Sequence, residues 1–158
     1  MRSCVIIPAR YKSSRLPGKP LICLLGKPMI IWVAEIASKA VGISNVFIAT
    51  DDMRIANIVN QNGYKYIMTS IESLTGTDRV AEASLSLNYD IFVNVQGDEP
   101  LVSPSDILRC IDYKIKYQDH IINSFHPINK DQDPSSINIP KVVINNSEDL
   151  IYISRSLI

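Results

Sequence analysis

Cys4-Val5-Ile6-Ile7-Pro8-Ala9-Arg10 opens the chain with an unbroken apolar run that stops at a proline and leads to a cation. A continuous apolar run of this length reads as a strand covered on both faces, and Pro8 closes it. Residues 11–20 are rich in Ser, Pro, Gly and basic side chains and read as a loop. Residues 28–40 read as a helix, because Pro28 suits the first turn and no Gly or Pro interrupts the window. The same alternation then repeats. Residues 46–49 are a second strand, Asp51 or Asp52 is placed to cap a helix running to Asn62, and Gly63 is placed to end it. Residues 65–68 are a third strand, 77–87 a helix, 91–95 a fourth strand and 104–116 a further helix. Residues 121–125, 141–144 and 150–154 read as later strands, and the polar, proline-containing stretch 130–140 as an excursion between them.

Alternating strands and helices predict an α/β fold, with a mostly parallel sheet and helices on both faces. Ligands of such sheets bind beyond the carboxyl ends of the strands. The residues that follow each apolar run are therefore the ones to examine. They are Arg10 after the first, Thr50-Asp51 after the second, Thr69 after the third, and Gln96-Gly97-Asp98 after the fourth.

Composition narrows the function. The chain has 158 residues, 46% hydrophobic and 20% charged, which suits one soluble globular domain with a core that needs no staples. Lys plus Arg number 16 and so do Asp plus Glu, so the net charge is zero and the basic excess of a nucleic-acid binder is missing. Arg2, Arg10, Lys12, Arg15, Lys19 and Lys27 gather near the N-terminus, which points to a small anionic ligand rather than a polymer. Cys4, Cys23 and Cys110 have neither paired nor metal-ligand spacing and read as buried or idle thiols of a reducing compartment. No signal peptide or membrane-length apolar run is apparent, so a cytoplasmic location is expected, with no membrane partner.

Three motifs carry chemistry. Pro8-Ala9-Arg10-Tyr11-Lys12-Ser13-Ser14-Arg15-Leu16-Pro17-Gly18-Lys19-Pro20 is a strand-end loop with spaced strong cations. Arg offers a planar donor fork and Lys a compact charge, a set suited to a triphosphate. The spacing is neither a Walker loop nor a dinucleotide fingerprint, and the same cations also suit a solvated loop. Thr75-Gly76-Thr77-Asp78-Arg79 reads as a turn into a helix N-terminus, either a cap or an anion site. Asn94-Val95-Gln96-Gly97-Asp98-Glu99-Pro100 sets an acid just past a buried strand, placed for Mg²⁺ or for a turn.

Together with Leu21 and Gly26-Lys27-Pro28-Met29-Ile30, the first motif resembles the N-terminal signature of the 3-deoxy-manno-octulosonate cytidylyltransferases. Acylneuraminate cytidylyltransferases share a looser version. The resemblance implies a Rossmann-like fold of the nucleotide-diphospho-sugar transferase type. It implies an enzyme that joins CMP from CTP to an acidic keto-sugar, for lipopolysaccharide synthesis, with Mg²⁺ as cofactor. By the same resemblance Arg10, Arg15 and Lys19 bind the CTP triphosphate, Pro8 and Ala9 lie by the cytosine, and Gly76, Thr77 and Arg79 also touch the nucleotide. Asp98 is then the metal ligand, and Lys19, Asp98 and Arg10 are the catalytic set. Gln96 is placed by the sugar.

The likeness continues through Asn138-Ile139-Pro140-Lys141-Val142-Val143 and Tyr152-Ile153-Ser154-Arg155-Ser156. This implies sugar contacts from Tyr152, Ser154 and Arg155, with Arg155 facing the sugar carboxylate. Ile139-Pro140 departs from the family pattern. The likeness stops in mid-pattern at Ile158, which implies residues 1–158 as a single nucleotidyltransferase domain cut short. The continuation would carry further sugar contacts, much of a homodimer surface and a second metal-binding Asp. The 8-amino sugar analogue, acylneuraminate-like acids and a non-catalytic nucleotide-binding fragment stay open as alternatives.

Overall fold

The computed structural model describes residues 1–12 and 16–158. The chain forms two compact units, Met1–Ile122 and Asn123–Ile158.

The first unit is built on strands β1 (Ser3–Ala9), β4 (Val46–Thr50), β5 (Lys65–Met68) and β6 (Ile91–Asn94), all parallel. A small hairpin, β2 (Cys23–Leu24) with β3 (Lys27–Pro28), lies between the first two. Its helices are α1 (Met29–Val41), α2 (Met53–Gln61), α3 (Gly76–Ser84) and α4 (Pro104–Lys116). The sheet runs in the order β5-β4-β1-β6. The chain steps outward from β1 to β4 and β5, then returns to add β6 on the other side of β1. That reversal makes the carboxyl edge of β1 the switch point where α/β sheets open a crevice.

Alternation along β1 divides the core in two. Val5, Ile7 and Ala9 pack with Ile30, Val33 and Ala34 of α1, Ile55 and Val59 of α2, and Ile107 and Ile111 of α4. Cys4 and Ile6 pack with Phe47, Ala49, and Val80 and Ala83 of α3. Strand side chains alternate faces, so one apolar run feeds both layers and helices cover both faces. The expected fold class is thereby observed. Each fully buried aliphatic side chain contributes about 1.5–3 kcal/mol of burial, which anchors the otherwise polar strand ends. Burial also pushes the Cys4 thiol up to about 12, so this cysteine is an inert core residue.

The helix ends follow local rules. Pro28 precedes α1 as its N-cap and Gly42 follows it at φ 81. Asp52 caps α2 by accepting from the Arg54 N–H. Ser103 caps α4, with Pro104 in the first turn. Helix α3 stops at Ser84, short of the predicted residue 87, because the Ser84 and Ser86 hydroxyls donate to the Ala81 and Ala83 carbonyls. Serine side chains compete in this way with the helical ladder. Among the described residues no helix is long and apolar enough to cross a membrane.

In the second unit, β7 (Lys141–Ile144) and β8 (Leu150–Ser154) form an antiparallel pair with Lys141 opposite Ser154. The Asn145 side chain accepts from the Ser147 and Asp149 N–H groups at 2.9 Å each and shapes the turn between them. The strand expected at 121–125 is absent. Ile121 is 97% exposed and Phe125 53%, and among the described residues no strand offers them a ladder. An apolar run without a pairing edge leaves its amides to water and has no reason to extend as a strand.

Candidate active site

At the carboxyl ends of β1 and β6 the first unit opens into a cavity of about 410 Å³, within the range of small-molecule sites. Four segments line it. Pro8, Ala9 and Arg10 come from the end of β1; Leu16, Lys19 and Pro20 from the returning limb of the basic loop; Thr75, Gly76 and Arg79 from the start of α3; Gln96, Gly97 and Asp98 from the turn after β6.

The basic loop is folded back by short-range bonds. The Gly18 N–H donates to the Tyr11 carbonyl at 2.8 Å, and a single 3-10 turn over Lys19–Leu21 follows. This return carries Lys19 to the turn after β6, where its Nζ lies 2.6 Å from Asp98 Oδ2. The two side chains are 41% and 46% exposed. An ion pair this open to water is worth little, about 0–1 kcal/mol, so either member is readily handed to a ligand. Arg10 stands exposed beside them.

The turn after β6 lies directly on β1. A Cβ at position 97 would stand 2.9 Å from the Pro8 carbonyl oxygen, so only glycine permits this approach. The Gln96 amide donates to Asn94 Oδ1 at 2.9 Å and forms the adjoining exposed wall.

Helix α3 starts with a capping box. The Asp78 N–H donates to Thr75 Oγ1 at 3.1 Å, and the Thr75 N–H donates back to Asp78 Oδ2 at 2.9 Å. The acid at position 78 therefore serves the helix end. The same geometry points the positive end of α3 at the cavity through Gly76, which favours an anion there. Thr77 is exposed and lies outside the cavity lining. Arg79 is 2% exposed; its guanidinium donates to the Thr69 hydroxyl and, at 3.0 Å, to Asp51 Oδ2. It forms part of the cavity wall while bracing the carboxyl ends of β4 and β5 against α3.

Of the residues the sequence singled out, the structure thus gathers Pro8, Ala9, Arg10, Lys19, Gly76, Arg79, Gln96 and Asp98 around one cavity. Arg15 lies outside the described residues. Tyr152, Ser154 and Arg155 belong to the second unit. There Tyr152 is 56% exposed, and Arg155 donates from Nη1 to the Ile137 carbonyl at 3.1 Å. Lys141 is buried and donates to the carbonyls of Ser136 and Arg155. Sequence reasoning missed Thr75, Leu16 and Pro20 as cavity walls, and Asp51 and Thr69 as the partners of Arg79. The signal for the last two was their place just after apolar strands; nothing local named the cation they meet.

Among the described residues no group of three or more His, Cys, Asp or Glu side chains is arranged to hold a metal. The donor set at Asp98 still fits Mg²⁺. That ion keeps most of its water and takes one or two protein carboxylates together with phosphate oxygens, and Asp98 is a half-exposed carboxylate at the edge of an anion-suited cavity.

Residues 4–158 match the family model described as cytidylyltransferase. A 3-deoxy-manno-octulosonate cytidylyltransferase of Escherichia coli is 40% identical over 162 residues, covering 98% of this chain and 63% of that protein. One of Nitrosococcus oceani is 45% identical over 156 residues, covering 96% and 60%. An 8-amino-3,8-dideoxy-manno-octulosonate cytidylyltransferase of Shewanella baltica is 41% identical over 166 residues, covering 100% and 66%. The solved structure of a CMP:2-keto-3-deoxy-manno-octonic acid synthetase complexed with CTP superimposes with a TM-score of 0.87 at 38% identity, covering 100% of this chain and 66% of that one. The chain thus spans 60% to 66% of the length of these three curated relatives.

Proposed function

The chain belongs to the cytidylyltransferase family, and from that premise we propose that it serves CMP transfer from CTP to 3-deoxy-manno-octulosonate, the activated sugar then entering lipopolysaccharide synthesis. The observation that carries the reading is the convergence of Arg10, Lys19 and Asp98 on one cavity at the sheet's switch point. Cations on a strand-end loop suit a triphosphate, and the acid opposite them suits the divalent ion that accompanies it.

In this reading the anomeric hydroxyl of the sugar attacks the α-phosphorus. The new O–P bond forms as the bond from the α-phosphorus to the β-phosphate bridge breaks, pyrophosphate departs with the electron pair, and a proton is released to solvent. No covalent intermediate on the protein is needed. Arg10, Arg15 and Lys19 hold the triphosphate, and Pro8 and Ala9 present backbone to the base. Gly76 and Arg79 close the nucleotide side. Lys19 exchanges Asp98 for phosphate oxygens, which leaves the carboxylate to hold Mg²⁺. Bound there, Mg²⁺ supplies neutralisation of phosphate charge and polarisation of the phosphorus. Gln96 serves the sugar acid. Alignment and fixed cations are the sources of rate. Residues 1–158 belong, in this reading, to one nucleotidyltransferase domain that acts in the cytoplasm as a homodimer.

The Shewanella baltica relative favours a second reading, in which the acceptor is the 8-amino analogue. One experiment addresses both. Pyrophosphate release is measured across a panel of nucleoside triphosphates and sugar acids, these two and neuraminate among them. Release with CTP and 3-deoxy-manno-octulosonate above all other pairs is expected. Preference for another nucleotide ends the proposal, and preference for the amino sugar moves it to the second reading.

A further inference from the structure

One aromatic ring closes the basic loop. Tyr11 leaves the strand next to Arg10, and its carbonyl accepts the Gly18 N–H at 2.8 Å, one residue before Lys19. Gly18 sits at φ 70, and a Cβ there would stand 3.1 Å from the Tyr11 ring, so the ring lies against bare backbone. The Arg54 guanidinium stacks on the same ring, with Cζ 3.3 Å from the centroid. Arg54 is itself held by a two-pronged contact, Nε to Asp52 Oδ1 at 2.9 Å and Nη2 to Asp52 Oδ2 at 2.6 Å. Asp52 is the N-cap of α2. A continuous path therefore runs from the α2 cap, through the fork and the ring, to the backbone beside Lys19. Tyr11, Arg54 and Asp52 do not line the cavity.

A polar loop that must present several cations to one ligand loses conformational freedom on binding unless it is ordered beforehand. The stack fixes Tyr11, and with it the backbone at Gly18, from outside the site. We propose that Tyr11, held by Arg54, is a positioning residue that presets the backbone at Gly18 and Lys19 and thereby sets affinity for the β- and γ-phosphates of a nucleoside triphosphate. The inference rests on the CTP reading of the cavity.

The test is calorimetric titration of CTP and of CMP, both with Mg²⁺, into the 158-residue chain and its Tyr11→Phe, Tyr11→Ala and Arg54→Gln variants, with folding checked by circular dichroism. Tyr11→Ala is expected to weaken CTP about ten-fold and CMP no more than about two-fold, since CMP lacks the phosphates that the loop meets. Arg54→Gln removes the stack without touching the loop and is expected to weaken CTP about three-fold. Tyr11→Phe keeps the ring and retains wild-type affinity. Equal CTP affinity in wild type and in Arg54→Gln and folded Tyr11→Ala, an equal loss for CMP, or a Tyr11→Phe that behaves as Tyr11→Ala overturns the inference. If the wild-type chain binds no CTP, the reading of the cavity fails first, and trypsin judges the clamp separately. Faster cutting after Lys12 in the Arg54→Gln chain then supports positioning of the backbone beside Tyr11, and an unchanged rate overturns it.

Discussion

Lys19 and Asp98 neutralise each other at 2.6 Å in a solvent-open pair, so each keeps its charge available to a ligand at small cost. Truncating Lys19 removes a cation from the cavity and uncovers an anion beside it. Lys19→Ala is expected to weaken CTP by about 1.5–3 kcal/mol, the scale of a charge-assisted contact. Calorimetry checks this, and unchanged affinity would remove Lys19 from the phosphate site. Asp98→Asn keeps the volume and loses the charge a divalent ion needs. Its effect should fall on turnover, by about a hundredfold, more than on CTP binding, because charge on the phosphates is greatest in the transition state. Pyrophosphate release as a function of Mg²⁺ concentration is the measurement, and a normal Mg²⁺ response would return Asp98 to the role of a turn residue.

At the scale of elements, two ion pairs hold the strand ends and helix starts in place. The buried one joins Arg79 of α3 to Asp51 after β4, with side chains 3% and 11% exposed. Arg79→Leu strands the Asp51 carboxylate in a site with little water, and a cost of about 3–5 kcal/mol in urea unfolding is expected. The Arg79→Leu/Asp51→Leu double variant should be less destabilised than the single one, since no charge is then left unpaired. An equal or greater loss in the double variant would mean that packing, not charge, sets the cost. The exposed pair joins Asp52 and Arg54 at the start of α2. The Arg54 side-chain hydrogen bond outweighs desolvation and holds the Asp52 carboxyl below its ordinary 3.8. A carboxyl lowered in the folded state adds stability above its unfolded value and loses it as pH falls through the folded one. Asn caps helices as well as Asp, so Asp52→Asn isolates the charge. The stability gap between wild type and Asp52→Asn should be full near neutral pH and close as the solution is acidified below 3.8. A gap independent of pH in urea titrations would show that the charge contributes nothing.

Over the whole molecule, one run of exposed apolar side chains lies along β8 and the residues after it. Leu150, Ile151, Tyr152 and Ile153 of β8 are 46%, 64%, 56% and 48% exposed, and Leu157 and Ile158 63% and 62%. A two-stranded ribbon with apolar side chains open to water gains by covering them. The 158-residue chain is therefore expected to associate as its concentration rises into the micromolar range. Light scattering checks this, and Ile151→Lys with Ile153→Lys should reduce it. A monomer at all concentrations would show that these side chains are covered within the chain in solution.

Much of this protein was legible locally. The apolar run at Cys4–Ile7 predicted a central strand, and β1 is buried on both faces. The breakers and capping residues around Pro28, Asp52, Gly63 and Pro104 act over neighbouring residues, and the helices begin and end near them. Placing polar residues after each strand also located the cavity, because a parallel sheet puts all its carboxyl ends on one edge. What the sequence could not decide were the meetings between distant residues. Lys19 finds Asp98 across 79 positions and Arg79 finds Asp51 across 28. Only the β5-β4-β1-β6 order, with its reversal at β1, brings those ends together. Residues 121–125 carry the same kind of apolar signal as true strands and form none, because a strand exists only where another edge accepts its hydrogen bonds, and tertiary structure alone supplies that edge.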